Sequence, residues 1–539
     1  MSKISKLTII AILATIVLQI TCQQVKTKQD NRTVKGNILC LMGIASPSHH
    51  IWNRSLMEAL AKNGYNVTAL SVDIDQKPIP NLHYIHLEDI YKAIYEEDQF
   101  DLMAYAALGI YESIIDLMRF FAISDRAILR SKGLQTLLQY PDDFKFDLIV
   151  YDFSSFPSIL GFAHKFQYPP IVGVSAFMNP PNIYDAAGNP IFASLKPYYA
   201  TTYTPVMNFF QRSLNLLYYV IDNLSRKKDV EKNQHIMNKI FGNDVPNSRD
   251  LEQMIDVFLV NIHPSIDVPE PLLPNVIPIG GLQVKQPKEA PKELKSFIES
   301  SKKGAVLFSL GSNVKSEMLG RERILMFIKA FTKFPDYNFL WKFSNEEELD
   351  IPKNVLLQKW MPQNDILGHP KTVLFMTHGG LLSTQESTWH GVPMLGIPFF
   401  ADQHTNMKKS IDAGVAEKLD VFKLSEEAIV SKLSLMLNDK SYRDKMAIRS
   451  SLFRDRPKHP LEEAVWWCEY VLRNKGAPHM KSQARTMCPF ALFMWDLLLV
   501  WLGIFLGTMF AVFSIIKKIC CGRKQNKGLS QELKSKKTK

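Results

Sequence analysis

The chain has 539 residues, of which 46% are hydrophobic and 22% charged, and six are cysteines. It is too long for one ordinary domain; two large domains with appendages fit better. Its formal charge of +11 does not mark a nucleic-acid binder: residues 517–539 hold nine Lys and Arg against the single acid Glu532, Lys3 and Lys6 open the chain, and the body between is close to neutral.

Lys3 and Lys6 precede the apolar run Leu7 to Ile20, followed by small and polar residues. This predicts a secretory leader over 1–22; the run is short for a membrane anchor. Asn31, Asn53, Asn66 and Asn223 begin Asn-x-Ser/Thr sequons and are candidate glycan acceptors, Asn53 and Asn66 less so because they fall within structured segments. The cysteines have neither disulfide-framework nor metal-ligand spacing. Asn37 to Met42 reads as an apolar strand, and the segment Ser46-Pro47-Ser48-His49-His50 leads into a helix that buries Leu56, Leu60 and Ala61 and stops at Asn63-Gly64. Further strands are predicted at 67–72, 146–151 (FDLIVY, ending at Asp152) and 170–175. The stretch 184–241 is aromatic-rich and then helical; it suits an acceptor pocket or a simple core. Seven prolines between 264 and 291 predict an interdomain linker. The division is therefore 23–283 and 284–480, each an alternation of strands and helices.

The second half continues with a helix at 291–300, strand 305–310, helix 321–331 and strands 338–343 and 355–358. Then comes Trp360 to Gln403, WMPQNDILGHPKTVLFMTHGGLLSTQESTWHGVPMLGIPFFADQ. Its apolar run 372–376 ends in His378-Gly379-Gly380, a helix runs on to His390, and a strand over 392–397 ends near Asp402-Gln403. Strand, Gly-Gly turn, helix and strand make one unit of a doubly wound sheet, whose ligands bind beyond the carboxyl ends of its strands. Glycines allow close backbone approach, and the helix start offers N–H groups to an anion. After a lumenal segment 481–496, Leu497 to Ile516 is uncharged and long enough to cross a bilayer. The basic tail 517–539 follows, which predicts a type I, single-pass topology with a cytosolic tail.

Trp360, Gln363, His378, Gly379, Gly380, Glu386, Asp402 and Gln403 together closely resemble the signature of the UDP-glycosyltransferase family, which includes the UDP-glucuronosyltransferases. Taken singly, Trp360 is as readily a core cover, Glu386 a solvated helix face and His378 a satisfied core histidine; only their joint spacing points elsewhere. The resemblance implies the GT-B architecture, two doubly wound Rossmann-like α/β domains facing a cleft, here with one C-terminal transmembrane helix. It further implies that Trp360 stacks on uracil, Gln363 bonds the base or ribose, and Glu386 accepts from ribose hydroxyls. His378 and Gly380 then bind the diphosphate with Ser309, and Asp402 and Gln403 read the sugar. His49 and Asp152 match the family's general base and its acid; from the sequence alone His49 is equally a turn residue and Asp152 a helix N-cap. Histidine's pKa suits removal of an acceptor proton, and a buried acid would hold its tautomer.

One departure stands out. Leu382 occupies a position where many vertebrate glucuronosyltransferases have Asn, and Ser383 is the candidate replacement for that phosphate contact. Insect-type members typically use UDP-glucose, so the donor, UDP-glucose or UDP-glucuronate, tilts toward glucose. No cofactor and no metal are expected, since no acidic pair stands at a strand end. The expected partners are a UDP-sugar, a small lipophilic acceptor of the kind conjugated in detoxification, and the membrane; a homo-oligomer stays open. Lys536-Lys537-Thr538-Lys539 resembles a dilysine retrieval signal and predicts the endoplasmic-reticulum membrane with a lumenal body. The competing readings are a nucleotide-sugar epimerase or hydrolase and an inactive UDP-sugar-binding protein.

Overall fold

The computed structural model describes residues 34–344 and 349–536, without the side chains of 521–532, 534 and 535. The expected leader, the Asn31 sequon and the last three residues lie outside the described residues. Up to Lys481 the chain forms one compact unit, built on two wholly parallel sheets.

The first sheet contains β1 (Asn37–Met42), β2 (Asn66–Ser71), β3 (Leu82–His86), β4 (Leu148–Asp152), β5 (Ile171–Ser175), β6 (Val257–Val260) and β7 (Val276–Pro278), in the order β3-β2-β1-β4-β5-β6-β7. The second contains β8 (Gly304–Ser309), β9 (Tyr337–Lys342), β10 (Val355–Gln358), β11 (Thr372–Thr377), β12 (Met394–Gly396) and β13 (Ala416–Lys418), in the order β10-β9-β8-β11-β12-β13. Helices cover both faces, so central strands such as β4 and β8 are buried at every residue and read as unbroken apolar runs. The order reverses between β1 and β4 in one sheet and between β8 and β11 in the other. Crevices open at such switch points, and both face the same cleft.

Helix α1 (Pro47–Lys62) follows β1 and turns Trp52, Leu56 and Leu60 into the core. In α2 (Ile110–Ile128) and the 33-residue α3 (Phe209–Phe241), the first lobe has a packed pair beside the cleft. The second lobe places α4 (Gln363–Leu367), α5 (Leu381–His390) and α6 (Gln403–Asp412) around the end of β11. Helix α7 (Pro460–Asn474) then returns to the first lobe, where Ala464, Cys468 and Val471 join the core formed with Trp52 and Val150. By chain position this helix fell within the expected domain 284–480; by packing it belongs to the first lobe.

The proline-rich stretch expected to be an interdomain linker contains the edge strand β7. Its Pro278 is the last residue and faces no further strand, the position in a sheet where a missing N–H costs least. Strands β3, β6 and β13 were also not predicted; each is short, from 3 to 5 residues. The second compact unit, from Ser482, contains α8 (Trp495–Ser535). Its segment Trp495–Cys520 is long and apolar enough to cross a membrane.

Candidate active site

A cavity of about 620 Å³ lies between the lobes and is lined from both sides. From the first lobe, β1 delivers His49 on the opening turn of α1, and β4 ends at Asp152. His49 Nδ1 lies 3.3 Å from Asp152 Oδ2. Asp152 is fully buried and is held by two further donors, the Asn53 amide at 2.8 Å and the Ser154 N–H at 3.1 Å. A buried carboxylate needs such partners to stay charged. With Nδ1 turned to Asp152, Nε2 has no protein partner among the described residues, and His49 lines the cavity.

The second lobe contributes a polar cradle. The Gln363 amide, at the start of α4, donates to Glu386 Oε2 at 2.7 Å and to Ser383 Oγ at 3.1 Å. Burial pushes Glu386 up to about 7, against the opposing effect of the Gln363 hydrogen bond. His378 directly follows β11, with its ring wedged between two glycines: a Cβ on Gly311 would lie 2.5 Å from its Cε1, and one on Gly380 2.4 Å from its Nε2. Gly379, at φ +81°, and Gly311, at φ +88°, occupy backbone that other residues avoid. Burial first, and then the Lys342 ammonium, lower His378 to about 4, so it is a neutral imidazole at pH 7. Its Nδ1 is buried without a partner among the described residues. Ser309, at the end of β8, lines the cavity and accepts from the Gly311 N–H.

Asp402 is buried and its carboxyl is raised by that burial; the Asn406 amide, 2.7 Å from Oδ2, and the Lys409 ammonium act the other way. Gln403 uses Oε1 to accept from the Phe399 and Phe400 N–H groups, which fixes its amide nitrogen at the cavity wall. Trp360 sits on the rim with 67% of its surface exposed. The lobes are held in register by Asn313, whose amide donates to Ser46 Oγ at 3.0 Å, and by the Thr405 hydroxyl on the Tyr199 carbonyl at 2.6 Å.

Known proteins decide what this arrangement belongs to. A family model described as UDP-glucoronosyl and UDP-glucosyl transferase matches residues 48–529. UDP-glucosyltransferase 2 of Dactylopius coccus is 34% identical over 493 residues, covering 90% of this chain and 92% of that protein. UDP-glucuronosyltransferase 2B23 of Macaca fascicularis is 31% identical over 519 residues, covering 91% and 95%. The chain belongs to this family. Solved structures with the same fold include the glycosyltransferase VinC in complex with DTDP, with a TM-score of 0.54 and 17% identity over 81% of this chain and 100% of that one. The kitacinnamycin glycotransferase aligns with a TM-score of 0.55 and 15% identity over 81% and 98%. The architecture is GT-B, and the protein is an enzyme, a glycosyltransferase working from a UDP-sugar.

All of the catalytic and donor residues singled out in the transferase sequence, namely His49, Asp152, Ser309, Trp360, Gln363, His378, Gly380, Ser383, Glu386, Asp402 and Gln403, lie on or directly behind the wall of this one cavity. Leu382 also lines it, with a carbonyl that accepts from Gln283. The glycan expectations fare differently. Asn53 is 2% exposed and spends its amide on Asp152, which leaves this buried side chain no room for a sugar, against the expectation of a glycan there. Asn66 lies in an interior strand with its amide on Asn37, and Asn223 bonds Asp185 at 2.5 Å. Lys342 was missed. It ends β9 beside the switch point, donates to the Gly311 carbonyl at 2.8 Å and lines the cavity, with its pKa lowered by burial. The one available signal was a lysine closing an otherwise apolar strand.

Proposed function

We propose that this transferase moves a hexose, glucose in preference to glucuronate, from UDP to a hydroxyl of a small lipophilic acceptor with inversion at the anomeric carbon. The observation that carries this reading is the facing of two unlike half-sites across one cavity: the His49–Asp152 pair from β1 and β4, and the polar cradle around the end of β11. The exposed Trp360 indole suits stacking on uracil. Glu386, steadied by Gln363, accepts from the ribose hydroxyls. The diphosphate lies against the first N–H groups of α5, with neutral His378 and the Ser383 hydroxyl as donors. Lys342 supplies the cation there, so the resting charge of the leaving group is met without a metal or other cofactor. Asp402 and the Gln403 amide take the sugar hydroxyls.

The acceptor hydroxyl gives its proton to His49 Nε2 as its oxygen bonds to the anomeric carbon. The bond to the β-phosphate oxygen breaks at the same time, and its electron pair leaves on UDP. Asp152 keeps the Nδ1 proton in place and stabilises the imidazolium. A single displacement from the face opposite UDP inverts the centre. Glucose is favoured by the leucine at 382 and by the name of the relative from Dactylopius coccus. The acceptor wall, with Phe120, Phe121, Phe156 and Phe177, suits flat apolar molecules. The apolar helix and basic tail support an anchor in the endoplasmic-reticulum membrane with the body lumenal.

The test is a panel of UDP-sugars with one phenol, products identified by mass and their configuration by proton NMR coupling constants. A phenyl glycoside of inverted configuration from UDP-glucose is expected. Free sugar or an altered UDP-sugar without glycoside would replace this reading by a hydrolase or epimerase, and UDP binding without any product would leave an inactive binder.

A further inference from the structure

A carboxylate stands among the aromatic residues of the acceptor wall. Asp222, near the middle of α3, lines the cavity with Phe121, Phe156 and Tyr199. The residue is 3% exposed, so water does little for its charge. One protein donor reaches it, the Tyr198 hydroxyl, 2.6 Å from Oδ2; the other oxygen has no donor among the described residues. A buried carboxylate stays charged by collecting donors, as Asp152 does in the same cavity from Asn53, Ser154 and His49.

The nearest cation is already committed. Arg226 follows Asp222 by four positions, on the same face of α3, and also lines the cavity. Its two terminal nitrogens bond Glu252 at 2.7 and 3.2 Å, and its guanidinium lies over the Phe156 ring. One arginine thus serves two carboxylates, and Asp222 is left with the unbalanced charge. Burial raises its carboxyl to about 6, against the Tyr198 hydroxyl and Arg226, so at pH 7 it is mainly ionised. Holding Tyr198 does not require that charge: an asparagine oxygen would accept from the same hydroxyl without the cost of burying an anion. Tyr199 ties this spot to the transfer site, since its side chain is within electrostatic reach of both Asp222 and Asp402. Asp222 therefore lies beside the sugar end of the cavity, on the lobe opposite the nucleotide cradle.

We propose that Asp222 pairs with a positively charged nitrogen on the acceptor, so that the enzyme prefers phenols carrying a protonated amine to neutral phenols of the same size. The Phe121 and Tyr199 rings add to the attraction for such a cation. This rests on the reading of the first-lobe half of the cavity as the acceptor site, and names the class of acceptor within it. The aromatic wall takes the flat body of the molecule, and the carboxylate selects among flat bodies by charge.

The experiment uses the full chain in phosphatidylcholine vesicles at pH 7, with the saturating UDP-sugar that the donor panel selects. Three phenols of matched length serve as acceptors: 4-propylphenol, 4-(2-hydroxyethyl)phenol and 4-(2-aminoethyl)phenol. The amine should show a kcat/KM about tenfold or more above the propyl compound, expressed in KM, as a charge-assisted hydrogen bond gives. Asp222→Asn should remove that advantage. Tyr198→Phe breaks the same Tyr–Asp hydrogen bond but keeps the carboxylate, and should keep the preference for the amine. If both variants change all three phenols by the same factor, Asp222 is structural and the proposal is overturned. A parent enzyme that uses the propyl compound as well as the amine overturns it without any variant. A hydroxyethyl compound favoured as strongly as the amine, and equally sensitive to Asp222→Asn, overturns the assignment to a cation. Absence of glycoside from every phenol removes the transfer reading and this proposal together, whereas transfer to 4-propylphenol with no preference for the amine removes this proposal alone.

Discussion

Replacing Asp152 with Asn is the sharpest probe of the chemistry. Asp152 is fully buried and lies 3.3 Å from His49 Nδ1. At that separation, with an effective dielectric constant of about 20, a carboxylate and an imidazolium attract by about 5 kcal/mol. That attraction exists only once His49 has taken the acceptor proton, so losing it raises the barrier and leaves substrate binding alone. Each 1.4 kcal/mol is tenfold, and an asparagine keeps part of the hydrogen bonding, so kcat should fall by about 10² to 10⁴. The assay is steady-state transfer to a phenol, with UDP affinity measured by calorimetry. UDP affinity should stay within twofold, because Asp152 belongs to the opposite lobe from the nucleotide cradle. His49→Ala should cost a similar factor, and the double variant little more, since the pair acts as one unit. A kcat within fivefold of the parent for Asp152→Asn, or a double variant that loses the product of both factors, would refute the coupled-pair argument.

Four further outcomes are expected. Glu386 is raised to about 7 by burial but accepts hydroxyls best when ionised, so UDP affinity should fall up to tenfold per unit below pH 7 and level off above it. The sign follows from the raised pKa: the unliganded fold favours protonated Glu386 and loses that contribution as pH rises through 7, so the thermal stabilisation by UDP should grow over the same range, and Glu386→Gln should flatten both profiles. Lys342→Met should raise KM for the UDP-sugar about tenfold or more, the worth of a charge-assisted hydrogen bond, with acceptor KM unchanged in the same steady-state assay. Asn53→Leu removes a donor to Asp152 and should lower kcat about tenfold, while the glycosidase-sensitive mobility of the protein on gels stays the same; a mobility change would mean that Asn53 carries a glycan. Overnight treatment with a chelator should leave transfer rates intact.

The local elements around the site were legible because their signals are local. An apolar run bounded by turn residues marks β4 or β11, Pro47 at a helix start and Asn63-Gly64 at its end bound α1, and the spacing from Trp360 to Gln403 is a feature of the chain itself. The apolar segment before the basic tail was legible for the same reason, since length and the absence of charge suffice. What escaped notice depends on neighbours distant in sequence. β7 is a strand only because β6 offers it an edge, and α7 joins the first lobe only because its apolar face meets Trp52 and Val150. Asn53 looked like a glycan acceptor until the fold laid it on Asp152, 99 positions away. Lys342 became a cleft cation because β9 lies next to β8 in the sheet. The sequence by itself thus determined which chemical groups the protein carries and the short elements that hold them. Only the tertiary structure decided which of them share a cavity, because burial and proximity are set by contacts across the chain, and those same contacts move a carboxylate such as Glu386 to neutrality's edge.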